Sequence, residues 1–335
     1  MNIKRVQDNE ITPQEWNNHV PHPVQSWEWG EARNETGIEI LRYGEFENQK
    51  LVRGYQITLH EVPVINKNVG LLAMSHPPSS TMLDFLKTEL KKKQVVHLQI
   101  EPYVFAKAET AGLPAVKDVR SSFHRHFYKW TVLIDLRKSE DELLQDMKSD
   151  CRKNIRKAEK NSVVTRIEDT EAGFDVFKNL LFETTQRQEF SAHTETYHRT
   201  VWSHMQQGSL AHLVNSYHND LPVYSFECFS LNNTIYTPYS GSSSAHRNLK
   251  AGNLATWEVI RLGKSLGNEV FDMWGINPPE KNKEGWTGFS DFKERFGGEK
   301  ACLVDGYDLV INPFWYTLYT KVYKYKNFIL RLKRT

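Results

Sequence analysis

Lys293 stands in Phe292-Lys-Glu-Arg-Phe-Gly-Gly298, just beyond an apolar, strand-like run at 269–276. Ser290 or Asp291 can cap a helix starting at Asp291 or Phe292, which puts the lysine in the first turn. A fixed cation of this kind can hold an oxyanion, and where a reaction forms one that contact is usually the largest catalytic term. The helix dipole would add to the positive field. The competing reading is a solvated surface lysine, and residue type and spacing alone favour it. Phe292 and Phe296, at i and i+4, read first as core contacts. Acids that could accept a proton are also in the strand-like runs. Asp272 and Glu227 fall in predicted strands and Glu101 at a strand end. Buried acids that only hold structure are the commoner case, so no base is assigned.

The run before Lys293 closes a series of elements that occurs twice. In the first half, strands at 37–44, 51–60 and 69–75 lead to a helix at about 80–93 and a strand at 95–101. In the second half, strands at 211–217, 223–231 and 234–240 lead to a helix at about 249–266 and the strand at 269–276. The helix ends near Gly267, a C′ glycine. Matching elements are offset by about 170 residues, and helical segments at about 12–35 and 171–208 precede each meander. The reading is an α/β (α+β) protein of two tandem units: helices, an antiparallel meander, then a crossover with parallel strands and right-handed sense. Domain one covers 1–129 and domain two 130–310, opening on Thr131-Val-Leu-Ile-Asp-Leu136; the tail at 311–335 can pack back onto domain one.

Charge is distributed unevenly. Residues 148–160 hold six cations and two acids, a net of +4, and residues 321–335 hold six cations and no acid. The whole chain is +2, so the remainder carries −8. Such segregation suits a polyanionic partner or an anionic surface as well as it suits two solvated faces. Ser139-Glu-Asp-Glu142 is a capping box. Leu144, Met147, Cys151, Ile155 and Ala158 follow at helical spacing as a buried stripe, which leaves the basic side chains on the other faces.

The strand–helix order resembles the N-acetyltransferase (GNAT) unit. In that unit the crossover turn usually carries an Arg/Gln-x-x-Gly-x-Gly/Ala loop, whose amides cradle the coenzyme A pyrophosphate at a helix N-terminus. Here the turn after Arg247 has Lys250 in the first glycine slot, and the first domain offers Ser75-His-Pro-Pro-Ser-Ser-Thr81, without glycine. Neither half keeps an intact loop, which points to another acyl donor, and no cofactor is expected.

Several segments together resemble the Fem family of peptidoglycan-bridge aminoacyltransferases. They are Gln25-Ser-Trp-Glu-Trp-Gly30, Thr131–Leu136 with Glu142-Leu-Leu, Asn154-Ile-Arg-Lys-Ala-Glu-Lys160, Tyr239-Ser-Gly-Ser-Ser-Ser244 with His246-Arg-Asn-Leu249, Phe271-Asp-Met-Trp-Gly-Ile276 and Phe292–Gly298. The resemblance implies two GNAT-like domains that pass an amino acid from aminoacyl-tRNA to an amine on the stem peptide of a peptidoglycan precursor. That precursor would be lipid II or a soluble UDP-MurNAc-peptide. Lys293 would then be the family's lysine in Phe-Lys-x-x-Phe-Gly and the catalytic cation. Arg33, Glu101, Tyr103, Arg187, Tyr239, Arg247 and Phe292 would bind substrate, since diphosphate and carboxylate ask for Arg, Lys and Tyr. Lys148, Arg152, Lys153, Arg156 and Lys157 would contact tRNA phosphates. The long helical-hairpin arm of some members has no room in this sequence.

Thirteen histidines give no metal-ligand spacing, and three separated cysteines suit neither a disulfide framework nor a metal. No run approaches the roughly 20 apolar residues of a membrane span, and the first residues lack a secretory pattern. The expected place is the cytoplasm, with peripheral contact at the inner membrane surface through the basic, aromatic-rich tail. Two other readings stay open: a GNAT-like acyltransferase using acyl-coenzyme A on a small amine, and a non-catalytic module for nucleic acid or a membrane surface.

Overall fold

The computed structural model describes residues 2–7, 9–62, 65–106, 116–188, 193–278 and 287–332, without the side chains of 188, 287 and 324–332. The chain divides into two units, Met1–Phe127 with Leu303–Thr335, and Tyr128–Cys302.

The first unit opens with β1 (Asn2–Arg5), α1 (Pro13–Asn17) and α2 (Trp27–Glu35). Thr12 and Ser26 cap the two helices; each hydroxyl accepts the N–H three residues on at 3.1 Å. The Gln25 side chain fastens this layer to the sheet. It donates to the carbonyls of Gln56 and Ala73 at 2.9 and 2.7 Å and accepts from the Gln56 N–H at 2.8 Å. The motif at 25–30 is thus a structural clasp. The meander β2 (Glu39–Glu47), β3 (Lys50–Val62) and β4 (Lys67–Ser75) leads to α3 (Ser80–Lys92) and β5 (Val95–Pro102), which pairs parallel with β4. Met82, Leu83, Leu86 and Leu90 bury one face of α3, and every residue of β5 is buried. The short β6 (Val119–Ser121) follows.

The second unit begins with β7 (Trp130–Asp135), α4 (Glu140–Asp146) and α5 (Ser149–Lys160). The capping box forms as its sequence requires: the Ser139 hydroxyl and N–H are both joined to Glu142. One helix was expected through Ala158, but the chain breaks at Met147, whose backbone is extended. The N–H of Lys148 turns away to the Arg295 carbonyl at 2.9 Å. The buried stripe survives the break, because Met147, Cys151, Ile155 and Ala158 all enter the core. Next come β8 (Val163–Ile167), α6 (Glu171–Gln188), α7 (Glu195–Gln207), and the meander β9 (Ala211–His218), β10 (Leu221–Leu231), β11 (Thr234–Ser242). Then α8 (Ala251–Ser265) crosses to β12 (Val270–Asp272), parallel to β11, and α9 (Thr287–Glu294) and β13 (Glu299–Cys302) finish the unit. Gly267 has φ of 77°, as a C′ glycine needs. Among the described residues, no helix of this unit is longer than the 18 residues of α6, so there is no extended hairpin arm.

The chain returns to the first unit with β14 (Tyr307–Val310) and α10 (Pro313–Leu332). The sequence reading ran domain two to residue 310, whereas β14 pairs antiparallel with β5 of the first sheet. The two sheets have the orders β1-β2-β3-β4-β5-β14-β6 and β8-β9-β10-β11-β12-β7-β13. They correspond strand for strand. The sixth position is filled by β7, which precedes its meander, in one sheet, and by β14, which follows it, in the other. In both cases the crossover strand gains the partner that its open edge requires.

Candidate active site

The second unit gathers its unusual chemistry where β12 ends. The strand is shorter than the run at 269–276 suggested. Trp274 and Gly275 take left-handed backbone conformations, with φ of 54° and 75°. Glycine adopts this freely and tryptophan does not, so the turn needs outside support. Asp272 supplies part of it. Fully buried, its carboxylate accepts from Thr131 Oγ1 at 2.5 Å, from the Trp274 N–H at 2.9 Å and from the Tyr128 hydroxyl at 2.9 Å. Asp272 is therefore a structural acid.

Lys293 supplies the rest, and its setting corrects the sequence expectation. The helix starts at Thr287, so Lys293 lies in its last turn, and only 4% of the side chain is exposed. Its ammonium donates to three successive carbonyls: Met273, Trp274 at 2.6 Å and Gly275 at 3.0 Å. The Phe289 ring lies 3.9 Å from the same nitrogen, as a cation–π contact. Burial pushes the ammonium pKa down to about 7, with Asp272 opposing the shift. A lysine at that value passes between charged and neutral forms near physiological pH, which suits either oxyanion stabilisation or proton transfer. All three donors are engaged with the turn, so a substrate oxygen must displace a carbonyl to reach the ammonium. Phe292 is half-buried, 5.2 Å from the Phe296 ring and packed on the core.

Buried polar groups without hydrogen-bond partners also occur on β10 and α7. Glu227 is fully buried, opposite Leu213 and Tyr239 in the ladders, at a bulge. Neither of its oxygens has a hydrogen-bond partner, and burial raises its pKa to about 8. His198, buried and also unpartnered, sets its ring edge-on to Tyr239 at 4.7 Å, and burial lowers its pKa to about 4. The indole N–H of Trp202 is likewise unpartnered. Sequence reasoning noticed Glu227 and Tyr239 but missed His198 and Trp202. Their i, i+4 spacing on α7 was the available signal.

The end of β11 is held by α6. Arg187 donates to the Ser242 carbonyl at 3.1 Å and hydroxyl at 3.0 Å, and Glu183 accepts from the Ser244 N–H at 2.6 Å. A Cβ on Gly241 would sit 2.3 Å from the backbone of Leu180 and Leu181, so glycine lets the helix cross the strand here. Packing thus accounts for Gly241, Ser242 and Ser244 of the motif at 239–244. Arg247 is exposed in the following 3-10 turn, and Lys250 begins α8 at φ of 61°. That is a conformation glycine adopts more readily than lysine.

In the first unit, Glu101 is fully buried and its carboxylate is taken up by the chain itself. It accepts from Gln99 Nε2, the His126 N–H and the Phe127 N–H at 2.8, 2.7 and 3.0 Å. The carboxylate that the sequence offered as a substrate ligand is thus already engaged by its own unit. Tyr103 is half-buried between His22 and Phe105, with ring distances of 4.9 and 5.2 Å, and Arg33 is half-buried in the last turn of α2. His124 and His126 bring their Nε2 atoms within 2.9 Å, a pairing the His-x-His spacing should have suggested. Among the described residues no group of three ligands could hold a metal ion.

On α5, Lys148, Lys153, Arg156 and Lys157 are exposed. Arg152 is not available in the same way. Its guanidinium donates to the carbonyls of Leu144, Gln145 and Met147, closing the end of α4.

These sheets and crossovers define a tandem GNAT-like protein. Residues 145–282 match the family described as the acetyltransferase (GNAT) domain. The chain is similar to the crystal structure of FemX, with a TM-score of 0.81 at 16% identity, over 94% of this chain and 99% of that one. It is also similar to a tandem GNAT protein from the clavulanic acid biosynthesis pathway, with a TM-score of 0.54 at 10% identity over 93% and 99%. L-PGS from Bacillus licheniformis gives 0.52 at 14% identity over 88% and 93%. Comparison with curated protein sequences finds no match.

Proposed function

We propose that this chain is an acyltransferase of the Fem type, moving an amino acid from aminoacyl-tRNA onto the stem-peptide amine of a peptidoglycan precursor, lipid II or a UDP-MurNAc-peptide. The observation that carries this reading is the FemX-like fold along 94% of the chain, with the Phe-Lys-x-x-Phe-Gly lysine buried at the end of the second crossover strand. In this mechanism Lys293 exchanges a turn carbonyl for the oxyanion formed as the amine attacks the aminoacyl ester. The C–O bond of the ester then breaks, and the ester oxygen leaves with the tRNA carrying the proton that the amine nitrogen gives up. In the second unit, Arg187, Tyr239 and Arg247 contact the precursor's anionic groups, and the exposed cations of α5 contact tRNA phosphates. The site of action is cytoplasmic, with the precursor met in solution or at the membrane face.

Purified protein, a mixed pool of charged tRNAs and either precursor test the reading, with mass spectrometry of the product. A precursor heavier by one amino-acid residue is expected. No mass change with either precursor, from folded protein, sinks it.

The GNAT domain match supports a second reading, an acyltransferase fed by acyl-coenzyme A. The missing glycines argue for weak coenzyme A binding. Micromolar binding of acetyl-coenzyme A by calorimetry would promote that reading over the first.

A further inference from the structure

α10 is amphipathic in an unusual sense, because both of its faces carry large apolar side chains. The inner face is anchored to the first unit. Tyr316 is buried and its hydroxyl donates to Asp308 at 2.8 Å. The rings of Tyr316 and Tyr319 lie 5.1 and 5.3 Å from His97, and Tyr323 lies 5.1 Å from Phe123. The outer face carries Phe314, Leu318 and Val322, exposed by 70%, 42% and 59%. Their i, i+4, i+8 spacing makes one stripe along the helix. Among the described residues of the first unit, every exposed large hydrophobic side chain belongs to this stripe. In the sequence Tyr325 and Ile329 follow Val322 at i+3 and i+7; their side chains lie outside the described residues.

The charge on this segment singles out a partner. From Lys321 to the C-terminus there are six cations and no acid, in a chain whose net charge is only +2. A second copy of the same stripe would bring like charge against like charge. A nucleic acid would satisfy the cations but leave Phe314, Leu318 and Val322 in water. An anionic phospholipid surface satisfies both, with acyl chains for the stripe and headgroups for the cations. No helix among the described residues is long and apolar enough to cross a membrane, so α10 would lie in the interface plane.

We infer that α10 is a membrane-surface helix, docking the first unit on anionic phospholipid through Phe314, Leu318 and Val322 and the cations that follow them. The inference deepens the transferase reading by naming how a lipid-linked precursor is approached. It is tested without precursor or tRNA, so either reading can fail alone.

The test is co-flotation of the full chain with vesicles of phosphatidylcholine mixed with phosphatidylglycerol, against vesicles of phosphatidylcholine alone. Strong flotation is expected only with the anionic vesicles, decreasing as salt is raised. The triple variant F314S/L318S/V322S should bind about a hundredfold more weakly, since three large side chains no longer enter the bilayer. Its melting temperature should match the parent, because all three side chains are exposed. A variant with Lys321, Lys324 and Lys326 each changed to Glu should lose the preference for anionic vesicles. Absence of flotation by the parent overturns the inference, as does a triple variant that floats equally well. A parent dimer in sedimentation velocity that the triple variant dissolves would reassign the stripe to self-association. Failure to float, combined with a tRNA gel shift lost on charge reversal, would reassign the tail to RNA.

Discussion

The ammonium of Lys293 lies 2.6 Å from the carbonyl oxygen of Trp274, a tryptophan whose own φ is 54°. A buried cation and a strained turn thus hold one another: the carbonyls satisfy the lysine, and the lysine over-determines the turn. Asp272, through the Trp274 N–H, braces the turn from the strand side. The pair sits where the second crossover strand ends and places one buried amine there.

Replacing Lys293 by Met should lower the single-turnover rate by on the order of 10²–10³, as for loss of one oxyanion donor. Precursor affinity should change little if the charge acts in the transition state. A near-normal rate in a folded variant removes Lys293 from the mechanism; equal losses of rate and affinity make it a support for the turn. Stability adds a second readout. The pKa is lowered from 10.5 to about 7 on folding, so within that window the unfolded chain binds a proton the native chain has released. Parent stability should therefore rise with pH between about 7 and 10.5 relative to the Met variant, a trend urea titrations at several pH values would reveal.

Glu227 makes the opposite prediction. Its pKa is raised on folding from 4.5 to about 8, so its contribution is intact below pH 4.5 and is lost as pH climbs to about 8. Glu227→Gln should flatten that slope and leave the protein more stable at pH 8, by at most a few kcal/mol. Parallel slopes for parent and variant in denaturant titrations would show that the carboxyl ionises freely.

On α5, changing Lys153, Arg156 and Lys157 to Glu should weaken tRNA binding and reduce its log–log salt slope by about 2 to 3. Folding should survive, since these side chains are exposed. Arg152→Ala should behave differently, costing about 1 kcal/mol of stability by uncovering the carbonyls at the end of α4. Filter binding across a salt series, paired with thermal melts, separates the two. An unchanged slope in the triple variant would make α5 a solvated face.

Glu101→Ala should cost about 2–4 kcal/mol by stranding the N–H groups of His126 and Phe127. Urea unfolding measures it directly. A variant of unchanged stability with a raised KM for precursor would restore Glu101 to substrate binding.

Much of the architecture was legible because it is written in local patterns. Alternation marks the meander strands, helical spacing marks α3 and α8, and the Ser139–Glu142 box marks the start of α4. Repetition at a near-constant offset exposed the duplication without any contact information. The break at Met147 was not legible, since its cause is the Arg295 carbonyl, far along the chain.

The candidate site divides in the same way. Residue type and motif singled out Lys293, but as an exposed first-turn lysine. Its burial depends on Trp274 and Gly275 turning left-handed and on Phe289 closing over the nitrogen. The chain at 126–127 meets the Glu101 carboxylate and the Arg152 guanidinium closes α4, engagements that no local pattern announces. By itself the sequence determined the order of elements, the duplication and the placement of charge, because each follows from neighbours within a few turns or strands. Only the tertiary structure decided which charged groups are solvated and which are consumed, because desolvation and hydrogen bonding there depend on backbone atoms distant in sequence.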